Sequence, residues 1–96
     1  MATTSTLKDD IKMALGDLAT TKFDGIIDNF ILAGKKDLEE AGIISTKIVE
    51  TDPLIYSALI SFVLSLMETY EYRELNANAY ALQKDQLRHY NDYISQ

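Results

Sequence analysis

Residues Asp52–Met67 read DPLIYSALISFVLSLM, and this stretch decides the fold. Its first two residues are a helix start: an Asp side chain accepts from the free amides of a first turn, and Pro loses no bond at the first helical position. Leu54, Ile55, Ala58, Leu59, Phe62, Val63, Leu66, Met67 and Tyr70 cover more than one stripe, and Ile60 and Leu64 add a further side. A helix of this kind must be buried nearly all round by other elements. Ser57, Ser61 and Ser65 recur at four-residue steps, a ridge of small side chains that admits close approach of a second helix, from this subunit or a neighbouring one. The pattern predicts a third helix over Pro53–Glu74. Its apolar part is interrupted by the serines and is shorter than the ~20 residues a bilayer span requires, so no membrane partner is expected.

Upstream, Leu7, Ile11, Ala14, Leu15 and Leu18 lie at three- and four-residue spacings. They predict a first helix over Thr6–Leu15, capped by Ser5 or Thr6 and closed at Gly16. Thr21 with Asp24 repeats the start signal, and Ile27, Phe30, Ile31, Gly34, Leu38 and Ala41 mark a second helix over Lys22–Ala41 that stops at Gly42. Gly34 sits on the apolar stripe, where a missing side chain lets another helix come close at a propensity cost of about 1 kcal/mol. Ile43–Thr51 is rich in β-branched residues with no partner strand in view, and reads as an extended connector able to reach a neighbouring subunit.

Downstream, Asn76-Ala77-Asn78 breaks the pattern and Asn78 can cap a fourth helix from Ala79 to about Ile94. Tyr80, Leu87 and Ile94 fall seven apart, with Leu82, Tyr90 and Tyr93 beside them. Tyrosine presents an apolar body with a polar tip, which suits an interface. The expectation is an all-α, four-helix single domain over residues 1–96, with a disordered N-terminus at 1–5 and a C-terminal interface helix at 79–96.

Composition narrows the function classes. The 96 residues contain no cysteine, which removes disulfides and thiolate metal sites. The first residues show no basic region followed by an apolar run, so no secretory signal is expected and a cytoplasmic origin is the default. The net charge is −6, and residues 1–72 hold six lysines against twelve acids, whereas 73–96 hold three of each sign. Such a surface repels the phosphate backbone. A helix-turn-helix reading, with Lys35 and Lys36 facing phosphates, is opposed by Asp24, Asp28, Asp37, Glu39 and Glu40 on the same helix. His89 and Asp85 lie one turn apart, but two donors are too few for a metal. Asp9-Asp10 and Glu39-Glu40 point about 100° apart and do not converge on a substrate. No Gly-rich phosphate cradle is present. No enzymatic activity and no cofactor are expected.

The run from Asp52 through Ile60, leading to Tyr70-Glu71-Tyr72-Arg73-Glu74, resembles the head-tail connector proteins of tailed bacteriophages. In that family a short helix and a second helix ending near a Gly lead through a variable loop to a helix that opens with an acidic residue and Pro and closes on an aromatic-Glu-x-Arg-Glu-like motif. The likeness covers nearly the whole chain, including the last helix with Tyr80, Leu87 and Tyr90. Tyr72 stands where the family often has a polar residue. The resemblance implies a structural virion protein, made in the host cytoplasm and placed at the head-tail junction. It implies a homo-oligomeric ring of about a dozen subunits, docked beneath the portal protein, extending the channel through which DNA passes unbound and offering a platform for the next neck or tail protein. Tyr80, Leu87, Tyr90 and Tyr93 are then candidates for docking to the portal or a neighbouring subunit, and Tyr70, Arg73 and Glu74 for fixing the corner between the third and fourth helices. The same tyrosines could instead close the monomer core, and a free-standing regulator of a host protein or a small DNA-binding protein are the competing readings.

Overall fold

The computed structural model describes residues 7–16, 23–68 and 70–94. Among these residues the chain forms four α-helices, α1 (Leu7–Leu15), α2 (Asp24–Glu40), α3 (Pro53–Met67) and α4 (Tyr70–Arg88), with a 3-10 turn at Ser45–Lys47. The expected N-terminal disorder, the caps at Ser5, Thr6 and Thr21, and the position of Leu18 lie outside the described residues.

Asp52 starts α3 as its chemistry predicts: Oδ1 accepts from the Leu54 amide at 2.9 Å and from the Ile55 amide at 3.3 Å. The helix then forms the centre of the molecule, packed against α1, α2 and α4. Ile55, Ala58, Leu59 and Val63 are fully enclosed, while Leu54 and Leu66 at its ends stay exposed. Onto this rod α1 sets Leu7, Ile11 and Leu15, and α2 sets Ile27, Ile31 and Leu38. Ala14, expected on the inner face of the first helix, is exposed.

Gly34 is the notch between α2 and α3. A Cβ there would come within 2.9 Å of Phe62 Cδ2 and 3.0 Å of Leu59 Cδ2, so the bare backbone is what permits this approach. At the end of α2, Gly42 takes a φ of +103°, with its N–H donating to Glu39 O at 3.0 Å and that of Ile43 to Leu38 O at 3.1 Å. This paired closure engages the Glu39 and Leu38 carbonyls at the helix end, and the buried side chains of Ile43 and Leu38 seal it.

Three expectations are corrected. The third helix ends at Met67 and not at Glu74: Glu68 turns extended (φ −71°, ψ 169°), and α4 doubles back along α3 in the most extensive helix pairing of the molecule. Asn76-Ala77-Asn78 is no break but the middle of α4, where Asn76 Nδ2 donates to the Tyr72 carbonyl at 2.8 Å and so decorates a helix instead of starting one. The connector is not free, because Ile44 N–H donates to Tyr93 O at 2.7 Å and Ile43 makes an isolated antiparallel bridge with Ile94. Residues 89–94 are therefore a non-helical tail strapped to the connector, and the helical part of the expected 79–96 element stops at Arg88.

Tyrosine–aspartate hydrogen bonds tie these elements together. Tyr56 on α3 donates to Asp10 on α1, Tyr80 on α4 to Asp37 on α2 at 2.5 Å, and Tyr93 in the tail to Asp52 at 2.6 Å. Hydrogen bonds to a charged acceptor are worth roughly 1.5–3 kcal/mol each, more than most exposed ion pairs. Lys12–Asp24 at 2.8 Å and Lys8–Asp28 at 3.4 Å add ion pairs between α1 and α2.

Candidate subunit interface

The molecule measures 42 × 36 × 20 Å, about two helix diameters thick, so an outer helix such as α4 keeps a face for solvent. On its inner face, Tyr80 and Leu87 are buried, at 7% and 2% exposure. Their assignment as docking residues is corrected: both belong to the subunit's own core. The Tyr80 ring meets Phe62 edge-on with centroids 5.0 Å apart, and its hydroxyl, which would oppose burial if unpaired, is received by Asp37. Lys84 also bonds Asp37 at 3.1 Å. Burial pushes the Asp37 carboxyl up, but the hydrogen bonds from Tyr80 and Lys84 and the lysine charge hold it below its ordinary value. Burial and the Asp37 contact raise the Tyr80 phenol.

Tyr93 is half-buried, held by Asp52 in the tail strap, and tilts against Tyr90 at 6.1 Å. The Asp52 hydrogen bond, with burial, pushes the Tyr93 phenol up to about 12. Asp52 itself is raised by burial but lowered more by Tyr93, by the two amides it caps and by Lys47. Of the four predicted docking side chains Tyr90 alone is exposed, and with Leu54, Ser57, Gln83 and Gln86 it lines a groove of about 130 Å³ between α3 and α4.

The serine ridge serves the α3–α4 contact. Ser57 Oγ accepts from Gln83 Nε2 at 3.0 Å, Ser61 is buried, and Ser65 Oγ donates to the Phe62 carbonyl at 2.5 Å. At the corner α4 begins with Tyr70, Arg73 Nε donates to the Glu68 carbonyl at 3.2 Å, and Glu74 is exposed.

The outer face of α4 carries what the sequence reading missed. Tyr72, Leu75 and Leu82 are 53%, 63% and 67% exposed, and with Ala79 and Gln86 they alternate at three- and four-residue steps. That is the spacing of a helix–helix seam. Exposed Glu71, Asn78 and Asp85 run along its solvent edge at seven-residue intervals. The signal was available in the seven-residue recurrence of positions 72, 79 and 86 and of 75 and 82. Assigning Tyr72 and Leu75 to the preceding helix cut the stripe in two.

Among the described residues no group of three His, Asp or Glu side chains is placed to hold a metal, and Asp85 and His89 stand 3.9 Å apart as a pair on the surface. None of the described helices is long and apolar enough to cross a membrane. Compared with family models, with characterised proteins and with solved structures, the chain gives no match.

Proposed function

We propose that this chain is a structural virion protein that assembles as a ring beneath a phage portal, extends the DNA channel and presents a platform to the next neck component. The observation that carries this reading is the exposed stripe Tyr72–Leu75–Leu82 on α4. A row of large apolar side chains, spaced as a seam and left uncovered, marks a surface that another protein covers. The connector-like order of short helix, long helix, connector and apolar central helix supports it, as does the YEYRE pentad, whose Arg73 clasps the corner at Glu68. The pentad opens α4 here instead of closing the third helix, a departure from the family pattern. Tyr90 and Leu54, at the mouth of the α3–α4 groove, are the side chains available for the portal. The acidic excess of residues 1–72 supports a channel through which DNA slides without adhering.

The test mixes the purified protein with portal oligomers and images the product by negative-stain electron microscopy. A layer of ring density on one end of the portal is the expected result. A chain that stays monomeric and leaves the portal bare overturns the reading and favours the regulator; salt-dependent retardation of duplex DNA by the isolated chain favours nucleic-acid binding.

A further inference from the structure

We infer that Tyr93 and Ile94 form a strap that opens about Asn91 and Asp92 while the four-helix body stays folded. The tail has few means of staying closed. No side chain of residues 89–94 is fully buried: residues 89–92 are exposed, and Tyr93 and Ile94 pack only in part against the core. Among the described residues, two hydrogen bonds tie the tail to the connector and to the start of α3. The Ile44 N–H donates to Tyr93 O at 2.7 Å and the Tyr93 hydroxyl to Asp52 Oδ2 at 2.6 Å, beside the bridge of Ile94 with Ile43. By contrast, the nine residues of α1 bury Leu7, Ile11 and Leu15. A segment with few buried apolar contacts opens at a lower free energy than the whole domain.

Each tie uses a group that the body does not need. Asp52 divides its oxygens: Oδ1 accepts from the Leu54 and Ile55 amides and so starts α3, while Oδ2 takes the Tyr93 phenol. The connector divides its amides in the same way, the Ile43 N–H closing α2 on Leu38 O and the Ile44 N–H taking the tail. Release of the strap therefore leaves both helix ends capped. The hinge is also separate from the helices. His89 and Tyr90 stay with α4, since their amides bond Gln86 O at 3.1 Å and Leu87 O at 3.2 Å and the Leu87 side chain is buried. Asn91 and Asp92 are the exposed central pair of a turn closed by Tyr93 N–H on Tyr90 O at 3.0 Å, so rotation there moves Tyr93 and Ile94 and leaves α4 in place. Opening bares Ile43, which is 2% exposed when the strap is closed, together with the Ile44 amide and one oxygen of Asp52. These form a short backbone edge of the kind that pairs with an extended segment. The strap thus gates that edge, as a property of the single chain that does not depend on the assembly.

Amide hydrogen exchange followed by NMR on the full chain, at several low denaturant concentrations, tests the strap. The Ile44 amide should show an opening constant about a hundredfold larger than those of Leu59 and Val63 in α3. Its exchange should be nearly independent of denaturant, because a small opening exposes little surface. A reversible staple gives the second arm. Facing residues of an antiparallel bridge stand within disulfide reach, and the chain has no native cysteine, so Ile43→Cys/Ile94→Cys is closed by oxidation and reopened by reduction. Oxidation should slow Ile44 exchange by roughly tenfold relative to that of Leu59, and reduction should restore it. An Ile44 amide that shares the opening constant and denaturant dependence of Leu59 overturns the inference, since the tail then opens only with the whole fold. So does an Ile44 amide with no protection, or one whose exchange relative to Leu59 is the same in the oxidised and reduced staple.

Discussion

The inner and outer faces of α4 carry similar side chains at similar spacings and meet opposite fates. Tyr80 and Leu87 are seven apart and closed into the core; Leu75 and Leu82 are seven apart and open to solvent. Residue type does not separate them, since each face has a tyrosine and at least one leucine. Partners do. Tyr80 meets Phe62 for its ring and Asp37 for its hydroxyl, both supplied by this chain, while the outer row is covered by nothing of its own among the described residues. One face therefore stabilises the subunit, and the other is free to join subunits.

Truncation on the two faces has separable consequences. Leu87→Ala should cost about 2–5 kcal/mol of unfolding free energy in denaturant titrations, because a fully buried leucine leaves a cavity. Gly34→Leu comes next: extra carbons would drive into Phe62 and Leu59, and overpacking costs about 1–3 kcal/mol, read as a lowered melting temperature. Tyr80→Phe keeps the ring contact and removes the hydroxyl, for an expected loss of about 1.5 kcal/mol, the low end for a bond to a charged acceptor because Lys84 still pairs Asp37. Leu82→Ala should change stability by no more than about 0.5 kcal/mol in the same titration. A Leu82→Ala loss as large as that of Leu87→Ala would erase the distinction between the faces.

The tyrosine–aspartate contacts add a pH dependence with a definite sign. Asp37 and Asp52 are held below the ordinary 3.8 in the folded state, so their contribution is complete above that value and is lost as pH falls through the lower folded values. The phenols behave in the opposite sense. Tyr56, pushed to about 12 by burial and by Asp10, and Tyr93, pushed to about 12 by Asp52 and burial, stabilise the fold fully below pH 10 and cease to do so between 10 and 12. Thermal melts should therefore drop over that alkaline interval, with tyrosinate absorbance rising as the fold is lost. Ionisation of both phenols near pH 10 with no change in melting temperature would show that these contacts do not hold the elements together.

Features set by local chemistry were legible in the sequence. Asp52-Pro53 starts α3, Gly42 stops α2 and Gly34 marks the close helix approach, because each depends on a backbone requirement few other residues satisfy. The corner at Glu68 was not legible. No glycine or proline stands between Pro53 and Gln96, and the reversal is held by a side chain five residues on, Arg73 binding the Glu68 carbonyl, and by the tertiary contact of α4 with the serine ridge. Asn76 and Asn78 drew the break to the wrong place, since asparagine favours caps but also bonds a carbonyl one turn back. That displacement hid the outer stripe and made Tyr80 the natural interface residue. Its burial depends on Asp37, 43 positions away, which no local pattern reveals.

Whether the outer face of α4 joins subunits is decided by electron microscopy of portal oligomers mixed with either the native protein or Leu82→Asp. Circular dichroism verifies beforehand that both are folded. Ring density forms with the native chain and none with Leu82→Asp at equal concentration if that face is the joint. Rings of equal occupancy with both proteins would contradict it.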